Sequence, residues 1–173
     1  TEHSVKPKRM KDTYLILRMI GFYLWRKGKL LSVNEKGCPL VEYRSDLQDF
    51  LGKTMVFLND QRGSSFCEEF PTMFDRAMKS CVTILGSGCF RLPKKGDGPR
   101  RAISMALFEI VSYLMITLID LPQSQAVSIK DKLTKLLSKK EFVDSIAYIV
   151  DSNKSVNKRF KDIEIMIKEI RNA

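Results

Sequence analysis

Histidine is almost missing from this chain: the single one, His3, stands in a polar leader. With no imidazole in the remainder, Ser-His and Cys-His pairs are excluded there, and no GxSxG elbow occurs. The four cysteines, Cys38, Cys67, Cys81 and Cys89, form no CxxC pair, so a zinc site is not expected. Three of them fall in or beside apolar helical patterns, where a free cysteine acts as a small hydrophobe. Reduced thiols and a cytoplasmic location fit that usage. No secretory signal is visible, because TEHSVKPKRMKD is polar and basic, with no apolar core before Tyr14. Also missing are a GxxxxGK[ST] phosphate loop, any convincing period-two alternation, internal repeats and low-complexity tracts. No cofactor is implied.

A hydrophobic share of 44% with 29% charged residues over 173 positions suits one globular domain with a sizeable core. A leader over residues 1–10 is expected to be basic and flexible, and residues 11–173 to form the domain. A chain beginning at Thr1 reads as a fragment or a processed product. The net charge of +10 favours polyanions, nucleic acid above all, although lysines on solvated helix faces give the same total. One run, Ala102 to Ile119 (AISMALFEIVSYLMITLI), approaches bilayer-spanning length. Glu109 near its centre, arginines before it, and Asp120 and Pro122 after it favour a helix buried in a bundle, with no membrane partner.

Helical spacing dominates the rest. Tyr14, Leu17, Ile20 or Gly21, and Leu24 mark a helix from about Lys11 to Lys27, with Gly28 as its stop. Lys29 to Arg44 reads as an irregular connection with a short extended piece at Leu40 to Tyr43. Ser45 to Gln48 and Ser65 to Glu68 have capping-box spacing, which predicts helix starts at both. The first of these helices should end near Asp60 to Gly63, and the second near Leu85 with Gly86 as its cap. Pro71 either kinks the second or moves its start to Thr72. Pro99 is placed to open the central apolar helix. Three more helices are expected at Ala126 to Ser138, Lys140 to Val150 and Val156 to Arg171, the last burying Val156, Phe160, Ile163, Ile167 and Ile170.

Charged residues against this background define the candidate sites. The loop Gly86 to Arg101 combines glycines, cations and a following helix start, the ingredients of an anion site. Lys94, Lys95, Arg100 and Arg101 are its candidate nucleic-acid contacts, and a solvated hairpin is the simpler reading. Arg18 interrupts the first helix's apolar run, as Glu109 interrupts the central one. Each is costly to bury alone, so a salt bridge between them is expected; the rival places both heads in water. Tyr14, Phe22, Tyr23 and Trp25 lie among cations and suggest a nucleic-acid platform, while their helical spacing favours a core face. Glu68-Glu69 at a helix start complements the helix dipole.

The order of several short elements resembles a known family: Leu17-Arg18, Phe57-Leu-Asn59, Phe90-Arg91, Phe108-Glu109 and Arg159-Phe160. Their sequence and spacing are similar to the helical C-terminal portion of the GmrSD-type restriction proteins of bacterial phage defence. The resemblance implies a scaffold that packs against an N-terminal ParB/sulfiredoxin-like domain, absent here, which handles the nucleotide. It implies DNA or another subunit as further partners, and no catalysis by this part. Asp97-Gly-Pro-Arg100 superficially matches a signature of the absent domain, but proline replaces its polar residue and no strand precedes it. The loop after Arg91 is also richer in lysine and arginine than the family pattern.

The expectation is an all-α, single-domain helical bundle of six or seven helices around the central apolar helix. Its work is either non-catalytic support and DNA contact within a restriction-type protein, or protein interaction through an apolar patch covered by another domain or an identical chain.

Overall fold

The run MALFEIVSYLMIT is apolar around its whole circumference, and a helix of that kind is stable only when surrounded. In the computed structural model, which describes residues 10–61, 64–93 and 101–173, this run is helix α4 (Met105–Thr117), and every residue from Ala106 to Ile116 is buried. Around it lie α1 (Lys11–Arg26), α2 (Leu47–Asp60), α3 (Ser65–Leu85), α5 (Ala126–Leu137), α6 (Lys140–Ala147) and α7 (Asn153–Arg171). The fold is an all-α, single-domain bundle of seven helices among the described residues. None of these helices is long and apolar enough to cross a membrane.

Helix α4 is shorter than the apolar run from Ala102 to Ile119. The Ser104 hydroxyl accepts the Leu107 amide at 3.2 Å and fixes the start there, leaving residues 101–104 non-helical. The opening assigned to Pro99 lies outside the described residues. Both serine capping boxes also shift by one position. Asp46 caps α2 by accepting the Asp49 amide at 3.0 Å, while Ser45 sits at φ 67° and accepts the Asn153 amide of α7 at 2.7 Å. That left-handed backbone turns Ser45 away from its own helix. Ser64, in extended conformation, caps α3 in place of Ser65. Helix α3 then runs through Pro71 without a shifted start and ends at Gly86, where φ is 82° and a side chain would be strained.

Between α1 and α2 the chain forms one isolated antiparallel bridge, Leu31 to Leu40, in place of a strand at Leu40 to Tyr43. Ser32 N to Pro39 O (2.8 Å) and Val41 N to Leu30 O (2.9 Å) close this hairpin-like segment. It is irregular but anchored, because Leu30, Val41 and Tyr43 are buried.

Helices α1, α4 and α7 run parallel. Contacts advance together along α1 and α4, from Arg18 with Glu109 to Tyr23 with Tyr113. Along α4 and α7 they advance from Glu109 with Arg159, through Tyr113 with Phe160, to Thr117 with Arg171. Helix α7 buries all five residues expected of its apolar face. Helix α2 packs against α1 at Gly21, where a Cβ would stand 2.8 Å from Thr54 Oγ1 and 3.0 Å from a Phe50 ring carbon. Only glycine permits that approach.

Candidate functional site

Arg18 shares the inward face of α1 with Leu15, Met19 and Phe22, so its guanidinium must find partners inside the bundle. Its Nε donates to Glu109 Oε1 at 2.6 Å, and its Nη2 to Asp151 Oδ1 at 2.6 Å. The other Glu109 oxygen accepts Arg159 Nη2 at 2.7 Å. Arg159 Nη1 donates to the carbonyls of Val150 and, at 3.3 Å, Ser145, holding the end of α6. The relative exposures are 2% for Arg18, 1% for Glu109 and 0% for Arg159. Two buried cations thus share one buried carboxylate, and Asp151, half-exposed at the rim, balances the second cation.

Burial works against the Arg18 charge, but Glu109 first, then Asp151 and Tyr14, outweigh it and raise its pKa. The Tyr43 hydroxyl donates to the Asp151 carbonyl, and Asn153 Nδ2 donates to the Tyr43 carbonyl. The α6–α7 connection is therefore gripped from α1, α7 and the α1–α2 segment. Within it Ile149 takes φ 41°, a strained setting for a β-branched residue, and Tyr148 and Ile149 stand 68% and 82% exposed. Both carboxylate oxygens of Glu109 are committed to arginines, so the arrangement is a clamp joining three helices and a loop.

Tyr43 gives a pH prediction. Burial, then the Asp151 charge, push its pKa up from 10.0 to about 12. The folded state therefore binds that proton more tightly than the unfolded chain does. Its contribution is present below pH 10 and disappears as pH rises through about 12. Tyr23 and Tyr113 are shifted upward too, burial being the first cause in each. Tyr43→Phe should accordingly give a shallower loss of stability across this interval, with some loss remaining, in urea melts taken at successive alkaline pH values. An unchanged slope would show that Tyr43 does not titrate with unfolding.

No family model, curated protein or solved structure matches the chain.

Of the four nucleic-acid contacts expected from sequence, Lys94, Lys95 and Arg100 lie outside the described residues. Arg101 is half-buried, and its carbonyl accepts Arg91 Nη1. The Ser104 amide donates to the Phe90 carbonyl at 2.9 Å. These two bonds tie the chain leaving α3 to the chain entering α4, so the base of the basic loop is closed. Beside that closure lies a mainly apolar cavity of about 250 Å³. Leu15, Met78, Val82, Phe90, Ile103 and Phe108 form most of its wall. Phe90 and Phe108 meet edge to face, with centroids 4.8 Å apart.

A second group of cations gathers where the parallel helices end. Lys27 Nζ stands 5.2 Å from the Tyr113 ring centroid and 5.9 Å from that of Tyr23. Burial, then Arg171, lower its pKa. Arg171 donates to the Thr117 carbonyl at 2.6 Å and pairs with Asp120 at 2.9 Å, a hydrogen bond that holds the Asp120 carboxyl below its usual range. The C-terminal ends of three parallel helices concentrate negative potential, and these cations compensate it.

The aromatic platform resolves as core. Phe22 is 0% exposed, its ring stacked on Phe50 at 4.9 Å and set against Tyr43 and Phe160. Trp25 and Tyr23 are partly buried against the same core, and only Tyr14 reaches the exposed class. Sequence reasoning missed Arg159, Asp151 and Tyr43 as partners of the ion pair. Arg159 had a signal: it lies three residues after Val156 and four before Ile163, on the apolar stripe. Asp151, in a connection, had none.

Proposed function

We propose that this chain is a non-catalytic helical domain of a GmrSD-type phage-defence protein, supporting a nucleotide-handling domain and contacting DNA through its basic loop. One observation carries the reading. Arg18, Glu109 and Arg159, the charged members of three of the five sequence elements behind the resemblance, are far apart in the chain and converge on a single buried clamp. Residue pairs that hold a bundle together are what a shared scaffold would retain. A role outside catalysis is supported by the full commitment of that carboxylate. Four free cysteines suit a cytoplasmic setting. DNA contact is supported by the closed base of the loop, which brings Arg91 and Arg101 together at its two ends.

The test is binding to fluorescent duplex DNA at two salt concentrations, wild type beside the Lys94/Lys95/Arg100/Arg101→Ala variant. Micromolar affinity is expected, with a salt slope reduced in the variant by up to about 0.9 for each phosphate that its missing cations leave unneutralised. No binding at low salt would sink the DNA contact. A second reading, protein interaction without nucleic acid, is favoured by the exposed Tyr148-Ile149 pair, which precedes the bonded residues Val150 and Asp151. Sedimentation that shows self-association, with no DNA affinity, would support it.

A further inference from the structure

The cavity beside Phe90 shares no residue with the clamp and takes no part in the DNA reading. Leu15 reaches it from α1, Met78 and Val82 from α3, and Phe108 from α4, while Phe90 stands before the basic loop and Ile103 after it. An apolar cavity of about 150 Å³ accommodates benzene, so one of about 250 Å³ has room for roughly ten heavy atoms. Every carbon that enters such walls leaves water, which favours an apolar body.

Arg91 sets the polar end of the occupant. Among the described residues it is the one charged side chain in the wall, and no carboxylate lines the cavity. Its Nη1 donates to the Arg101 carbonyl, which ties the guanidinium to the chain entering α4. Nε and Nη2 share the remaining edge of the plane, and neither has a partner among the described residues. That edge presents two parallel N–H donors at the spacing of two carboxylate oxygens. A neutral ligand leaves the edge unused, and a ligand with many polar atoms buries them among apolar side chains without partners. A monocarboxylate has two polar atoms, and the fork takes both.

We infer that the cavity binds a small apolar monocarboxylate of about six to nine carbons, its tail among Leu15, Met78, Val82 and Phe108 and its carboxylate on Nε and Nη2 of Arg91. The inference goes beyond the DNA-contact reading and uses no residue between Pro93 and Arg101. Because Phe90 and Arg91 precede the basic loop and Ile103 follows it, the occupant touches the chain on both sides of that loop.

The experiment is calorimetric titration with three probes: octanoate, octanol with the same tail and no charge, and acetate with the charge and almost no tail. Octanoate should bind at one site per chain, about tenfold tighter than octanol, because two charge-assisted hydrogen bonds are gained. Hexanoate, two methylenes shorter, should be weaker by about tenfold, and acetate should not bind. Arg91→Gln should bring octanoate down to the octanol level and leave octanol unchanged. Octanol reads the intact cavity in the same variant, so unfolding cannot imitate that result. Val82→Trp, which adds an indole beside the cavity from a residue 44% exposed, should abolish both. Equal affinity for octanoate and octanol in wild type, or an octanoate site untouched by both substitutions, would overturn the inference. So would the absence of any octanoate binding at millimolar concentration. None of these results alters duplex binding, so the DNA-contact reading stands or falls on its own assay.

Discussion

Glu109→Gln is expected to destabilise the protein by about 3–5 kcal/mol, the usual cost of removing one partner from a buried ion pair. The replacement keeps the side chain's size, so packing around α4 survives, but it removes the only fully buried negative charge between Arg18 and Arg159. Two guanidinium groups, 2% and 0% exposed, would then face each other with Asp151 as the sole remaining carboxylate. Arg159 has less recourse than Arg18, because its remaining acceptors are the backbone carbonyls of Ser145 and Val150. The readout is the urea midpoint with an unchanged m-value. Arg18→Met/Glu109→Leu/Arg159→Met should sit near wild type or above it, since an all-apolar replacement removes the desolvation cost together with the attraction. A cost below about 1 kcal/mol for Glu109→Gln would mean that water reaches the clamp.

Phe22→Ala should cost about 3–5 kcal/mol in the same assay, the range for truncating a fully buried phenylalanine. Its ring contacts Phe50 of α2, Tyr43 of the α1–α2 segment, Phe160 of α7 and Trp25 of its own helix. The high end is expected because collapse is obstructed: α1 and α2 already touch at Gly21, next to Phe22, and cannot close further over the void. A loss under about 2 kcal/mol would show that the rings rearrange to fill it.

Much of the fold was legible because helix periodicity and breakers are local properties. The stepping of Val156, Phe160, Ile163, Ile167 and Ile170 predicted the buried face of α7, and Gly86 predicted the end of α3. Boundaries were less legible. Ser45 and Asp46 are both competent caps, and the choice turned on a left-handed Ser45 that bonds α7 from far away in the chain. The aromatic and cationic run of α1 was equally ambiguous until α2 and α7 covered Phe22. The clamp was half legible. An arginine and a glutamate interrupting two apolar runs suggested each other as partners, whereas Asp151 and Tyr43 became partners only because the α6–α7 connection lies against Arg18 in the middle of α1 and against the α1–α2 segment.

By itself the sequence determined that this protein is helical, that its centre lies in the apolar run Ala102 to Ile119, and that Arg18 and Glu109 would need partners if buried, because spacing and the cost of burying charge can be read within a few residues. Only the tertiary structure decided that α1, α4 and α7 run parallel, that Arg159 completes the clamp, and that Phe90, Arg91 and Ile103 enclose a cavity at the base of the basic loop. Those outcomes depend on which side chains meet across tens of residues, and meeting is set by how six amphipathic helices share one core around α4 rather than by any local preference.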